Sequence, residues 1–346
     1  MEFSLFYFSG HGDRQGADKY SLLVEGAKFA DRNDFAAVWI PERHFHPFGG
    51  LYSSPSVLAA AVAMVTSRVQ IRAGSVVLPL NHPVRVAEEW SIVDNLSRGR
   101  VAIAFASGWH ANDFVLAPDA YQSRRQRMDE GIETVRRLWR GEAVSMRDGM
   151  DSPVEVRTLP RPIQPELPIW ITSAGSPETF AKAGAGGHNL LTHLAAQDVD
   201  ELGQKVAAYR RALSARGDGR TGHVTVMAHA FLAKDENEVR QKAYAPFQEY
   251  IRSNVSLFQA LGKSHGMDMS RLSDADREFI VERGTERYFK SRALLGTVGS
   301  CLPLVRQLKR IGVDEIACLV DFGVDDASVL AGLSHINTLR IGCEVL

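Results

Sequence analysis

Cysteine is scarce. The chain has three, Cys301, Cys318 and Cys343, and no two stand at metal-ligand spacing. That argues against a cysteine-held metal, and an odd number argues against a disulfide framework. Cys318, inside the apolar run IACLV, reads as a core residue. An excess of charge is also lacking: 40 Lys and Arg stand against 41 Asp and Glu, a net charge of −1. Such balance gives no basic surface for nucleic acid and no like-charged tail. Long apolar runs are missing too. No window reaches the roughly 18 uninterrupted apolar residues that would read as a membrane span. The opening MEFSLFYFSG has neither a basic leader nor an apolar stretch long enough for export, so a soluble cytoplasmic location is expected. What remains is ordinary globular material, 45% hydrophobic and 23% charged, enough for a large core.

Strand and helix patterns alternate almost throughout. Apolar runs at 3–8, 35–40, 69–80, 101–106, 167–173, 188–193, 223–233 and 315–320 read as buried strands. Helical spacing follows each, as in 16–32, 54–67, 83–97, 123–139 and 198–216. Eight such units predict a single-domain α/β protein over 1–346, the (β/α)8 TIM barrel. A doubly wound open sheet is the alternative. It usually carries a glycine-rich first turn, and SGHGDRQG after the first strand lacks the GxGxxG spacing. Two segments exceed what a barrel needs. Residues 141–166, after the fourth strand, read as an irregular loop or small hairpin, and 260–290, after the seventh, as a lid or binding loop.

Barrel chemistry sits where strands end. Histidines gather there: His11, His44, His46, His82, His110 and His193, with His229 late in the seventh strand. Clustering marks a polar face on an apolar scaffold. Plainer roles compete at several positions, with His82 as a helix cap and His46, His188 and His229 as pocket walls. A metal held by Glu42, His44 and His46 is conceivable, but carboxylates are scarce at the other strand ends, so no metal site is expected. The fifth strand runs into ITSAGSPETF. Its free amides and the Ser173, Ser176 and Thr179 hydroxyls at a helix start make an anion site, or else an ordinary N-cap by Ser176. Arg124, Arg125 and Arg127 stand nearby in such a fold and favour a phosphate.

Here the residues carry a resemblance. PERHFHPFGGLYSSPSVLAAAVA, GSVVLPLNHPVRVAEEWSIVDNLSRGR and ASGWHANDF are similar to blocks of the bacterial luciferase-like flavin monooxygenases, as is LLGTVGSCLPLVRQLKRIGVDEIACLVDFG. Within the family the chain looks closest to members found with nonribosomal peptide and polyketide synthases. The resemblance implies a barrel that takes reduced FMN from a separate flavin reductase. It implies reaction with O2 to a flavin C4a-hydroperoxide, which oxygenates an organic substrate, with a carrier-protein-tethered natural-product intermediate as one expected class. It implies His44 as the catalytic residue at the flavin's reactive edge, and Gly74-Ser75 as a non-prolyl cis peptide beneath the ring. The turn Ser173, Ala174, Gly175, Ser176 and Thr179 becomes the phosphate loop, with Arg127 a further phosphate ligand. Ser107 stands where luciferase has a flavin-binding arginine, Ala106 where it has a reactive cysteine, and His110 where it has a tyrosine. Light emission is therefore not implied. Phe6, Trp109, His110 and His193 are the expected substrate wall. A homodimer through the apolar helix around 57–65 is expected. Competing expectations are a hydride-transferring enzyme of the deazaflavin F420, and a non-catalytic flavin-binding barrel.

Overall fold

A computed structural model describes residues 1–8, 18–46, 49–195, 197–253 and 274–344, without the side chains of 253, 274–277, 279, 280 and 344. Eight parallel strands close a barrel: β1 (Glu2–Phe6), β2 (Ala37–Ile40), β3 (Gln70–Val77), β4 (Val101–Ala106), β7 (Ile169–Thr172), β8 (Asn189–His193), β9 (Val224–Leu232) and β11 (Glu315–Leu319). Neighbours pair in that order, and β11 pairs with β9 on one side and β1 on the other. The near-continuous apolar strands have this cause: parallel barrel strands are covered by side chains within and helices without. The (β/α)8 reading therefore holds.

Helices α1 (Ser21–Arg32), α2 (Pro55–Val65), α3 (Pro83–Ser97), α4 (Arg124–Arg140), α5 (Pro177–Ala185) and α6 (Val199–Ser214) follow the first six barrel strands. Their ends are set by local chemistry. Pro83 opens α3 behind a His82 cap whose Nδ1 accepts from the Val84 N–H at 3.3 Å. Asp198 and Glu201 form a reciprocal capping box on α6. The 141–166 segment contains an antiparallel hairpin, β5 (Val144–Arg147) with β6 (Pro153–Val156). After β9 come α7 (Glu236–Ser253) and α8 (Asp274–Ser291), then β10 (Leu294–Gly296), which pairs with the end of β9. Helices α9 (Val298–Arg310) and α10 (Asp326–Glu344) complete the outer ring. Of the 260–290 segment, the part before Asp274 lies outside the described residues, as do His11 and the SGHGDRQG turn.

The barrel floor is polar. Glu315, wholly buried, accepts from Arg72 Nη1 at 2.6 Å, His223 Nε2 at 2.9 Å and Trp39 Nε1 at 3.0 Å, and from the Ser4 hydroxyl. The Arg72 guanidinium lies between two indoles, 4.9 Å from Trp39 and 4.5 Å from Trp170. Phe6 stacks on Trp39 at 6.2 Å, and Phe8 on Phe6 at 6.3 Å. These rings form one stacked column.

Candidate active site

Gly74 lies against that column. A Cβ on it would stand 2.7 Å from the Phe6 ring and 3.1 Å from Trp39, so only glycine lets β3 pass so close. The Gly74–Ser75 peptide is cis. Ser75 Oγ meets Thr172 Oγ1, at the end of β7, at 2.5 Å. Phe6, expected on the substrate wall, is instead 2% exposed and serves as the floor under Gly74. An aromatic in the first strand has no sequence signal distinguishing floor from wall.

Thr172 opens a cleft of about 740 Å³. It holds Ser107, Trp109, Ser173, Ala174, Gly175, Ser176 and Thr179, all expected at the site, and places Arg124, Arg125, Lys182 and Lys205 around them. Ser173 is buried and accepts from the Gly175 N–H at 3.4 Å. Gly175 has φ +135°, a left-handed conformation that turns the chain's amides before α5. Ser176 Oγ accepts from the Thr179 N–H at 3.4 Å, so the capping role is real and the helix start still faces the cleft. Three carboxylates also line it, Asp129 and Glu133 on α4 and Glu178 on α5, the last paired to Lys182 at 3.0 Å.

Arg127 is a correction. It lies on the other side of α4, against the β5–β6 hairpin, with Nε donating to Ser123 Oγ at 2.9 Å. Helical geometry explains the error. Positions 124, 125, 128, 129, 132 and 136 share the cleft face, whereas 127, 130, 131 and 134 do not. Lys205 was missed altogether. Its clue is its place on α6 beside the buried Leu202 and Val206, which brings its stem toward the core. Lys205 Nζ donates to Gln197 Oε1 at 2.8 Å, and Gln197 Nε2 donates to the His193 carbonyl at 2.8 Å. His193 Nδ1 accepts from the Ala195 N–H at 3.2 Å. Desolvation, with Lys205 adding, pushes its pKa down to about 4, so the ring is neutral near pH 7.

Two histidines at the mouth carry carboxylate partners. His44 Nε2 donates to Glu42 Oε1 at 3.1 Å. His110 Nδ1 lies 3.0 Å from Asp113 Oδ1, and its ring lies 5.4 Å from Trp109 and 6.4 Å from His46. Neither His44 nor His110 lines the α4–α5 cleft itself. His229 is enclosed by Phe247, Tyr250, Tyr288 and Phe322, with Nδ1 3.0 Å from the Tyr288 hydroxyl. The conceivable His44–His46 metal set is not assembled. The acid and histidine groups that do converge, among the described residues, are Glu2, His223 and Glu315 at the opposite end, where Arg72 already neutralises Glu315.

The profile of the luciferase-like monooxygenases matches residues 1–315. The chain belongs to that family. It is a luciferase-like flavin monooxygenase, an oxidoreductase that incorporates molecular oxygen. The oxygenase component of the flavin-dependent trigonelline monooxygenase of Acinetobacter baylyi is 25% identical over 342 residues, 94% of this chain and 90% of that one. The crystal structure of the monooxygenase RslO1 from Streptomyces bottropensis superposes with a TM-score of 0.81 at 25% identity, covering 99% and 100% of the two chains. At the level of fold, the FMN complex of the oxygenating constituent of 3,6-diketocamphane monooxygenase from Pseudomonas putida gives 0.75 at 17% identity, covering 98% of each chain. An F420-dependent secondary alcohol dehydrogenase gives 0.72 at 16% identity with the same coverage. Fold alone thus does not choose between the two cofactors. Among the described residues, no helix is long and apolar enough to cross a membrane.

Proposed function

We propose that this enzyme, its whole chain acting as one barrel domain, takes FMN reduced by a separate flavin reductase and oxygenates an organic substrate with O2. The observation that carries the choice of FMN is the cleft. A helix N-terminus, three hydroxyls and cations from α4, α5 and α6 converge on one volume that runs past Thr172 toward the cis Gly74–Ser75 peptide. Its size is that of a cofactor site, and its donors suit one phosphate dianion. FMN carries one, and when bound and reduced it supplies the electrons that activate O2. The oxygenase component among the relatives supports a separate reductase.

The chain's own part is binding, orientation and proton control. Ser173, Ser176, Thr179 and the amides after Gly175 hold the phosphate, with Arg125 and Lys205 in the role first given to Arg127. Gly74 and Ser75 form the platform under the ring, and Ser107 flanks it. His44 moves the proton, its imidazole suited to transfer near neutral pH. Trp109, His110 and His193 face an organic substrate, in this reading a carrier-protein-bound intermediate. A second copy of the chain covers α2 and α3. Val57, Met64, Ile92 and Leu96 on these adjoining helices are 66%, 69%, 47% and 43% exposed, an apolar face a lone barrel has no use for.

Fluorescence titration with FMN, riboflavin and F420 tests the cofactor. Two charge-assisted hydrogen bonds to phosphate, at about 1.5–3 kcal/mol each, require FMN to bind at least roughly a hundredfold tighter than riboflavin. Equal affinities, or preference for F420, overturn the reading.

A further inference from the structure

Glu42 follows β2 and is 8% exposed, a buried carboxylate that the binding of flavin does not explain. Its oxygens accept from three N–H groups. Val77, at the end of β3, donates its backbone N–H to Oε2 at 2.6 Å. Asn81 Nδ2 reaches Oε1 at 3.0 Å, and His44 Nε2 reaches the same oxygen at 3.1 Å. Asn81 is itself fixed, because Nδ2 also donates to the Val77 carbonyl at 3.1 Å and its N–H donates to the Leu78 carbonyl at 3.0 Å. The chain turns sharply just beyond the dyad, where Phe45 takes φ +53°. A non-glycine residue rarely adopts that left-handed value, and here it keeps His44 at Glu42 rather than continuing an extended path.

An ionised carboxylate only accepts, so the hydrogen on His44 must sit at Nε2. Nδ1 is then the ring's free lone pair, and it has no partner among the described residues. Glu42 also ties the imidazole to β3 two residues beyond the cis Gly74–Ser75 peptide. The distance between proton carrier and platform is thereby fixed by a hydrogen-bonded carboxylate, not by the loop after β2.

We propose that Glu42 is the positioning residue of His44. It sets the Nε2–H tautomer and balances the charge when Nδ1 is protonated. This rests on the reading of His44 as the proton carrier. One oxygen atom of O2 enters the substrate and the other leaves as water. Reduced FMN would supply the two electrons and one proton of that water, His44 Nδ1–H gives the departing oxygen the other proton and recovers it from solvent, and Glu42 holds Nε2–H meanwhile.

The test mixes protein holding photoreduced FMN with oxygenated buffer and follows H2O2 release against pH in wild type, Glu42→Gln, Glu42→Asp and His44→Ala. Wild type should show one inflection carried by His44. Removing the carboxylate charge should lower that inflection by about one pH unit in Glu42→Gln and speed H2O2 release. Glu42→Asp should restore most of the shift, and His44→Ala should abolish the inflection. An unmoved inflection in Glu42→Gln, with His44→Ala still altered, sinks the positioning role alone. An unaltered His44→Ala sinks the reading of His44 beneath it. Should Glu42→Gln fail to bind FMN, the 15N shifts of the wild-type His44 ring decide: a proton on Nε2 is expected, and a proton on Nδ1 overturns the proposal.

Discussion

Replacing Glu315 by Gln removes the buried anion paired to Arg72 at the barrel floor and leaves Arg72, at 4% side-chain exposure, without its counter-charge. Gln keeps the shape and can still accept from Trp39 or Ser4, so the loss is of charge rather than packing. Stripping one partner from a buried pair costs about 3–5 kcal/mol. At the usual unfolding entropy per residue, a chain of this length should melt roughly 4–7 °C lower. The acid response gives a second reading. Arg72 leads the groups that hold the Glu315 carboxyl far below the usual range against its own desolvation, with His223 and Ser4 adding. A depressed carboxylate contributes stability that is present above its unfolded pKa of about 4.3 and lost as pH falls toward the folded value. The gap between wild type and variant should therefore be full at pH 7 and narrow below about pH 5. Scanning calorimetry of both proteins from pH 7 to 3 measures it, most of the narrowing falling below pH 4. Equal melting temperatures at pH 7, or a gap that does not narrow in acid, would refute the argument.

Other outcomes follow from the same geometry. Gly74→Ala drives a Cβ into the Phe6 ring and should cost about 1–3 kcal/mol, with Phe6→Leu recovering part of it in the double variant's melting curve. Lys205→Ala and Arg125→Ala should each weaken FMN about tenfold or more and leave riboflavin unchanged, whereas Arg127→Ala should spare both ligands. His229, pushed by burial and by His193 down to about 3, contributes stability that is present above the unfolded histidine pKa of about 6.5. As pH falls from there toward 3 that contribution is lost, so His229→Phe should show a shallower acid decline in unfolding free energy. Met64→Glu on α2 should turn a dimer into a monomer by light scattering, and an unchanged mass would remove that face from the interface.

The barrel was legible because parallel strands buried on both faces leave unbroken apolar runs, and eight of them leave few other folds. The turn at Ser173–Thr179 was legible for a local reason: small residues, hydroxyls and a proline at a helix start determine their own geometry. Failures came where side-chain direction matters. Arg124, Arg125 and Arg127 are equivalent as letters, and only the rotation of α4 on the barrel separates cleft from hairpin. Phe6 reads as a wall residue until its depth is known. Lys205 and Glu42 meet partners outside their own elements, Gln197 in the turn before α6 and Val77 on β3, and single-residue motifs do not encode such pairings. The cis Gly74–Ser75 peptide is found where the family resemblance implied it.

The most direct test of the central claim, that the cleft is an oxygen-activating FMN site, is anaerobic loading of the protein with photoreduced FMN followed by rapid mixing with oxygenated buffer. The account predicts stoichiometric binding and reoxidation in two spectral phases, the first proportional to O2 and the second independent of it. Failure to retain reduced FMN, with tight binding of reduced F420 and no reaction with O2, would contradict it.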